Sequence, residues 1–403
     1  MIDDTSKMAA DAIDLTSEII DKFGPRLAGS DACLKAADFI HEKLSKVCHS
    51  AHVDKFDIHP AAFLDFLNYM CISYFIGVAF MWLNMPKFTL LFSVIMFLIL
   101  YLEYLLYFET YDSLYKNSNG KNVYGVIEPQ GEVKNTVIFS GHHDSAHIFN
   151  FYNQPKFYLV REVIFFLITH IFILFMSFYV IYDHFYGFES NSVFYKAKLV
   201  FTFLILGIVP MLFFTNPKGT PGAGDNLAAV SMGIQLANKY AENRPKSTRL
   251  IFASYDGEEC GLRGSRAFFT QHKKDFDIEH TWNYNIDCSY YIEDLKFLTT
   301  DINGSVRLSK ELTGKCINIA HKLGYVQAHE CGIPFLAGAT DAAEAAKIGI
   351  KATTVLGVPF DGKTKVPPYH TMRDVPSAIE PAVLKAMMQI FIEFVDQLEN
   401  ETK

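Results

Sequence analysis

Five short segments of the chain contain histidine and carboxylate side chains of the kind that bind metal ions in enzymes. In sequence order they are SGHHDS (140–145), GAGDN (222–226), the pair Glu258 and Glu259, NID (285–287) and YHT (369–371). Imidazole nitrogens and carboxylate oxygens without a thiolate are typical of zinc sites that keep a position open for water. If these segments meet in the fold, the sequence predicts a catalytic metal centre.

Each segment also has a simpler structural interpretation. His142 and His143 fit the exposed end of a strand, and Asp225 fits a helix N-cap, the usual place for an Asp before a helix. Asp287 fits the start of a turn, and Glu258 with Glu259 fits a solvated turn. No single segment decides between the two interpretations.

The glutamate pair follows an apolar run, Leu250–Ala253, which is typical of a short buried strand. Open α/β sheets place their chemistry just past the carboxyl ends of such strands. Two adjacent carboxylates there can divide the work, since one can hold a cation while the other moves a proton. A turn through Gly261 and Gly264 then leads toward a helix.

The composition limits the class of protein. The chain has 403 residues, half of them hydrophobic, with 36 Phe and 21 Tyr, which indicates membrane segments. The net charge of −8 without a basic cluster argues against nucleic acid as a partner. Seven scattered cysteines without a CxxC pair favour reduced thiols. The acidic, polar first 15 residues do not resemble a signal peptide.

Two pairs of apolar segments predict transmembrane hairpins. The first pair, 66–83 and 88–102, is joined by the turn 84–87, and the second, 163–182 and 199–214, by a polar loop at 183–198. Each segment is near the about 20 residues that a helix needs to cross a bilayer. We therefore expect hairpins at 63–108 and 159–216, inserted between three parts of one catalytic domain at 1–62, 109–158 and 217–403.

Alternating helix and strand patterns in the catalytic parts predict an α/β fold, a mixed and mostly parallel sheet flanked by helices. Helices are expected at about 8–22, 31–47, 226–241, 304–323, 341–348 and 376–398. Strands are expected at about 52–59, 122–127, 136–140, 248–254, 281–287, 295–299 and 351–356.

Hairpins leave and return on one face of a membrane, so all catalytic parts should lie on one side of the bilayer. That side carries Lys55, Lys116, Lys121, Lys156, Arg161 and Lys218, against Lys87, Lys196 and Lys198 at the other. The excess of positive charge favours an integral membrane protein with a cytosolic catalytic domain.

Taken together, the segments resemble a known family. HHDS, PGAGDN, GEECGLRGS, NIDC and YHTMRD match, in order, the motifs of the co-catalytic zinc exopeptidases of clan MH, the aminopeptidase Y family. Residues 22–30, KFGPRLAGS, look like the N-terminal signature of that family. The resemblance covers roughly 1–60, 120–150 and 218–400, and the two hairpins are a departure from the family pattern.

The resemblance implies two zinc ions bridged by Asp225. Glu259 and His370 would complete one zinc site, and His142 and Asp287 the other. Asp144 is placed to accept the second imidazole N–H of His142. Asp341 and Asp374 either support metal ligands in the same way or cap local structure. Cys260 and Cys288 adjoin ligands, but the family does not use those positions, so we expect packed thiols.

Glu258 is then the expected general base. Two cations about 3.5–4 Å apart lower the pKa of a shared water. Glu258 would take a proton from that water and return it to the leaving amine. The resemblance implies an exopeptidase with peptide substrates, most simply an aminopeptidase, and the predicted hairpins would anchor it in the membrane.

Several alternatives remain open at this point. The same site could belong to a carboxypeptidase, another amide hydrolase or a glutaminyl cyclase, or the chain could be a non-catalytic membrane scaffold. The hairpins serve either as an anchor alone or also to supply substrates released from the bilayer.

Overall fold

The computed structural model describes residues 4–152, 155–186, 192–360 and 366–401, and the chain folds into two compact units. The first, here the globular unit, comprises Met1–Pro60, Lys116–Ile148 and Pro217–Lys403. The second, here the helical unit, comprises Ala61–Tyr115 and Phe149–Asn216.

A nine-stranded mixed sheet organises the globular unit. Its strands are β1 (Ser50–Ile58), β2 (Ser118–Ile127), β3 (Asn135–His142), β6 (Thr248–Tyr255), β7 (Thr281–Ser289), β8 (Leu295–Asp301), β9 (Val306–Arg307), β10 (His329–Gly332) and β11 (Lys351–Gly357). A separate two-stranded sheet contains β4 (His147–Phe149) and β5 (Thr215–Gly219).

The strand order is β1-β2-β6-β3-β7-β11-β8-β10, with β9 beside β8. The four strands β6, β3, β7 and β11 run parallel, whereas β1 and β2 on one side and β8 on the other pair in antiparallel fashion. The carboxyl ends of the four parallel strands therefore meet at one edge of the sheet, where such folds bind their ligands.

The central strands are buried on both faces, which explains their nearly continuous apolar sequences. Val137 and Phe139 of β3 belong to the core on one face, and Ile138 belongs to the core on the other. In β6, Phe252 belongs to the same core as Val137 and Phe139, and Ile251 belongs to the core on the other face. The α/β fold class predicted from the sequence is confirmed.

Helices cover both faces of this sheet. They are α1 (Asp4–Phe23), α2 (Asp31–Ser45), α7 (Ala228–Glu242), α8 (Arg263–His272), α9 (Lys310–Lys322), α10 (Ala342–Lys347) and α11 (Pro381–Glu401). The core on one face takes residues from α1, α2, α7, α9 and α11, and the core on the other takes residues from α8 and α10.

The predicted start of one helix at residue 304 is wrong. Residues 306–307 pair with β8 as strand β9, and the helix α9 begins only at Lys310. Ser309 supplies the reason, because its side chain accepts the N–H of Leu312 and caps the helix there.

The helical unit contains α3 (Phe66–Trp82), α4 (Pro86–Ile99), α5 (Pro155–Tyr186) and α6 (Ser192–Ile208). A π-helical segment, Leu100–Leu105, continues α4. Within the described part of this unit, four helical stretches are long and apolar enough to cross a membrane, namely Phe63–Trp82, Pro86–Leu105, Val163–Tyr186 and Ser192–Phe213.

Large apolar side chains point outward from these helices. Leu174, Phe178, Phe203 and Leu206 are each about two-thirds exposed. Inside the unit, Tyr74 Oη donates a hydrogen bond to the carbonyl oxygen of Phe201 at 2.8 Å. An apolar exterior around a satisfied polar interior is the arrangement that lipid favours.

The polar loop expected at 183–198 is shorter than predicted, because α5 extends to Tyr186 and α6 begins at Ser192. Lys198 made this stretch look like a loop. In the structure it is a buried helical residue that donates to Asn84 Oδ1 and lies over the ring of Phe194 at 5.0 Å. These contacts let the ammonium group sit within the bundle.

Candidate metal centre

The six residues predicted to act in catalysis come from different elements of the globular unit and gather at the carboxyl edge of the sheet. They are His142 at the end of β3, Asp225 before α7, Glu258 and Glu259 after β6, Asp287 near the end of β7, and His370 in the loop after β11.

Asp225 occupies the central position of this group. Its Oδ1 lies 3.2 Å from His142 Nε2, and its Oδ2 lies 3.2 Å from His370 Nε2. His370 Nε2 is also 3.2 Å from Glu259 Oε2. One carboxylate therefore has a histidine on each side, which is the arrangement needed to share it between two cations.

Asp287 and Glu258 complete the group on the His142 side. Single donor atoms of His142, Glu258 and Asp287 all lie within 4.8 Å of one another. His142 Nε2 is 3.8 Å from Glu258 Oε2. The structure thus places all six side chains in one cluster.

The polar atoms of this cluster fit metal ligation. Among the described residues, Glu259 Oε1 and Asp287 Oδ1 are buried without a hydrogen-bond partner. Leaving a buried polar atom unsatisfied costs about 1–3 kcal/mol, unless a ligand completes it. Nitrogen and carboxylate oxygen donors in this number suit zinc.

The charge of the cluster also suits cations. Burial alone would lower the pKa of His370, yet the carboxylates of Glu259 and Asp225 raise it to about 10. Burial acts against the charged form of Asp225, but His142 and His370 hold its pKa below the ordinary value. Carboxylates therefore outweigh cations here, and divalent ions would balance them.

The N-cap interpretation of Asp225 does not fit the structure. The helix α7 begins at Ala228 with Leu227 as its cap residue, and Asp225 has the non-helical angles φ −122° and ψ 85°. Asp374 holds this segment, since its carboxylate accepts the N–H of Gly224 at 2.8 Å and that of Asp225 at 3.3 Å. Asp374 thus positions the backbone of Asp225.

Gly224 is required by a close approach in the same segment. A Cβ at this position would lie 2.1 Å from Cε1 of Tyr290. Tyr290 is fully buried, so its ring cannot move aside without disturbing the core. Only glycine lets this ring pack directly against the backbone beside Asp225.

Arg26 is a structural residue of the site to which the sequence analysis gave no role beyond the N-terminal signature. Its buried guanidinium donates to the carbonyl oxygens of His143 at 2.8 Å and Gly222 at 2.9 Å, and also to those of Gly24 and Pro221. It thereby joins the end of β3 to the segment that carries Asp225. Hydrophobic periodicity gives no signal for such a buried cation.

His143, the second histidine of the first segment, belongs to a different group. Its Nδ1 lies 2.8 Å from Ser254 Oγ, and burial lowers its pKa to about 3. One of its ring nitrogens lies within 4.8 Å of donor atoms of Cys33 and Asp256. Cys33 Sγ donates to Asp256 Oδ1 at 3.3 Å, so these buried groups already form part of a hydrogen-bond network.

Glu258 is suited to hold a proton. Burial raises the pKa of its carboxyl well above the ordinary value, and the carboxylates of Glu259, Asp287 and Asp341 act in the same direction, whereas His142 opposes them. Asp341 precedes α10 but makes no side-chain cap there. Burial raises the pKa of Asp341 itself to about 7.

Asp144 links the histidine and the glutamates. Its Oδ1 is 3.3 Å from His142 Nδ1, close to the contact expected from the sequence, and the main-chain oxygen of Asp144 is 3.2 Å from the same nitrogen. Its carboxylate also accepts the backbone N–H of Glu258 and that of Glu259, each at 3.2 Å. One buried carboxylate thus positions three site residues.

We expect Asp144→Asn to lower zinc affinity or turnover by ~10–100-fold, the usual cost of losing a residue that hydrogen-bonds to a metal ligand. An amide cannot accept both glutamate N–H groups, because one of its two polar atoms becomes a donor. Zinc affinity would be measured by competition with a chelator. Asp57→Asn, at an exposed carboxylate bonded to Asn117, is the control. Equal affinities in the two variants would show that Asp144 does not position the ligands.

The profile of Peptidase family M28 matches residues 207–395, which include five of the six clustered residues. None of the curated proteins compared with the chain is significantly similar to it.

Several solved structures share the fold at 13% sequence identity. The match to a glutaminyl cyclase from Fimbriiglobus ruber has a TM-score of 0.58 and covers 96% of this chain and 94% of the cyclase. The match to a zinc aminopeptidase from Bacillus subtilis has a TM-score of 0.56 and covers 96% of this chain and 95% of the aminopeptidase. The match to a Zn-dependent exopeptidase from Parabacteroides distasonis has a TM-score of 0.56 and covers 96% of this chain and 97% of the exopeptidase.

Residues 207–395 of the chain are therefore similar to Peptidase family M28, and the globular unit has the fold of these solved structures.

Proposed function

We propose that the protein is a membrane-anchored, two-zinc exopeptidase that acts as an aminopeptidase. The observation that carries the proposal is the position of Asp225, whose two carboxylate oxygens each lie 3.2 Å from a different histidine. A single-metal site would need only one of these contacts. A non-catalytic scaffold would have no reason to gather six such side chains in one cluster.

Asp225, Glu259 and His370 would hold one zinc ion, and Asp225, His142 and Asp287 the other. When bound, the two ions lower the pKa of a water molecule and polarise the scissile carbonyl group. Asp144 and Asp374 keep these ligands in place through the hydrogen bonds to the backbone of Glu259 and of Asp225.

We assign Glu258 the proton transfers of the reaction. Its carboxylate accepts a proton from the attacking water and donates it to the leaving amine nitrogen. The N–H of Glu258 is bonded to Asp144, so the loop that carries this carboxylate is fixed relative to His142. A raised pKa makes this carboxylate a stronger proton acceptor in the first step.

The charges of the site favour a substrate with a free amino group over one with a free carboxylate. Arg26 uses its guanidinium on four backbone carbonyls, and Arg263 donates to the carbonyl oxygen of Gly261 at 2.8 Å. Neither cation is placed to recognise a terminal carboxylate, as a carboxypeptidase requires. Because both guanidinium groups are engaged in this way, we propose that the enzyme acts at the amino end of its peptide substrate.

Glutaminyl cyclisation is the second candidate function, because solved structures of glutaminyl cyclases share the fold. The presence of a histidine on each side of Asp225 favours the two-metal hydrolase over this alternative.

The helical unit supports the membrane part of the proposal. It contains four helical stretches long and apolar enough to span a bilayer, and its exposed side chains are largely apolar. We place the globular unit on the cytosolic side, on the basis of the lysines and the arginine that flank the hairpins.

A peptide panel tests the proposed activity, with the full chain purified in detergent. We expect release of the first residue from peptides with a free amino group, no release after N-acetylation, and little change after C-terminal amidation. Cleavage of acetylated peptides that requires a free C-terminus would instead establish a carboxypeptidase. Ammonia released from Gln-initiated peptides, without a free amino acid, would establish the cyclase.

A further inference from the structure

We propose that the Sγ atom of Cys288 is an additional ligand of the zinc ion held by His142, Asp225 and Asp287. This inference rests on the proposed two-metal function and adds a thiolate to a site otherwise made of nitrogen and oxygen donors. The backbone of β7 and the position of the thiol carry it.

A break in the strand pairing turns Cys288 away from its expected face. Successive residues of a regular strand point to opposite faces, so Asp287 and Cys288 should lie on different sides of the sheet. In the register with β11, however, Leu356 lies opposite Asp287 and Gly357 lies opposite Ser289. Cys288 is therefore the extra residue of a β-bulge.

The backbone of Cys288 is left-handed, with φ +47°. A residue other than glycine in this region is uncommon and needs support from its surroundings. Bulges next to active sites often serve to re-aim a side chain. Here the bulge brings two consecutive side chains, a carboxylate and a thiol, to the same site.

The donor atoms are close enough to share one ion. Cys288 Sγ and single carboxylate oxygens of Asp225 and Asp287 all lie within 4.8 Å of one another. Asp287 Oδ1 is buried without a hydrogen-bond partner among the described residues, and Cys288 is itself buried. Zinc bonds of about 2.0 Å to oxygen and 2.3 Å to sulfur place such donors roughly 3.5 Å apart in a tetrahedral site.

Cys260 provides a natural comparison within the same chain. It follows the ligand Glu259 as Cys288 follows Asp287, and it is also buried. Its Sγ donates to the carbonyl oxygen of Pro60 at 3.3 Å, which engages the thiol outside the zinc ligands. Proximity in sequence alone therefore does not select a ligand, and the bulge distinguishes the two thiols.

Coordination by Cys288 has a definite chemical balance. The S–H bond breaks, the thiolate sulfur binds the ion, and one proton passes to solvent for each site filled. A thiolate also shifts preference toward softer ions and away from magnesium or manganese, which favour oxygen ligands.

Cobalt substitution tests the proposal in the full-length protein. A thiolate bound to Co²⁺ gives a near-ultraviolet charge-transfer band that nitrogen and oxygen ligands do not give. We expect this band in the unmodified chain, its loss in Cys288→Ala and Cys288→Ser, and its retention in Cys260→Ala and Cys33→Ala. Cobalt bound per chain would be counted in each sample.

The outcomes separate this inference from the proposed function. Two bound cobalt ions without the band would overturn the role of Cys288 and leave the two-metal site intact. A band that survives Cys288→Ala, or that disappears in Cys33→Ala, would place the thiolate elsewhere and also overturn the role. Failure to bind cobalt at all would reject both proposals.

A second measurement avoids dependence on any variant. X-ray absorption of the zinc-loaded protein should show a sulfur neighbour at about 2.3 Å, contributed to one of two ions. A shell that contains only nitrogen and oxygen would overturn the inference even if Cys288→Ala fails to fold.

Discussion

The Glu258→Gln variant is expected to retain two zinc ions per chain and to lose turnover by ~10²–10⁴-fold, the range attributed to one general acid–base residue. Glutamine keeps the size of the side chain but cannot accept a proton from water. The metal ligands are left intact, because Glu258 contributes its proton-carrying group rather than a required zinc contact. The measurement pairs kcat with zinc analysis of the same sample.

Glu128→Gln serves as the matched control for this variant. Glu128 pairs with Arg249 at 3.0 Å on a partly exposed face of the sheet, and it belongs to none of the metal-donor groups. We expect its turnover to match that of the unmodified chain. If Glu258→Gln were equally active, the proton transfers would have to be assigned to another residue.

Asp225→Asn should remove both zinc ions rather than one. The carboxylate of Asp225 approaches His142 and His370 through different oxygens, and an amide offers only one oxygen for the two sites. Loss of a residue that only hydrogen-bonds to a metal ligand lowers metal affinity by up to ~100-fold. Because Asp225 is itself a ligand in the proposed site, we expect zinc affinity at both sites to fall by more than this. A zinc titration monitored by calorimetry would measure the zinc affinity of both sites.

His370→Ala and Asp38→Asn complete this experiment. The first should empty only the site that contains Glu259, and the second, at an exposed carboxylate paired with Lys121, should empty neither. An Asp225→Asn protein that still binds one ion tightly would show that Asp225 is not shared. The sites would then need separate ligand sets.

The buried strands and the cluster of candidate ligands could be predicted because their signals are local. Val137–Phe139 is apolar because β3 is buried on both faces, and the ligand motifs follow the strands that converge at one sheet edge. Strand direction and the motif order together bring His142 and Asp287 to the same place. Pattern reasoning captures such features well.

Features set by contacts between distant residues escaped prediction. Asp144 accepts two N–H groups from a turn that lies 114 and 115 positions away. The charge of Lys198 suggested a loop, whereas its partner Asn84 lies 114 positions away. The bulge at Cys288 depends on its pairing with β11, so the alternation of residues in β7 alone gave no warning of it.

The hydrogen bonds of Arg26 have a consequence for the order of events during synthesis. They tie a residue near the start of the chain to carbonyls 117 and 196 positions later, and His370 supplies a ligand later still. Both apolar hairpins thus emerge from the ribosome before the last ligand does. On the proposed ligand set, the second ion can be held only after the segment that carries His370 has been synthesised.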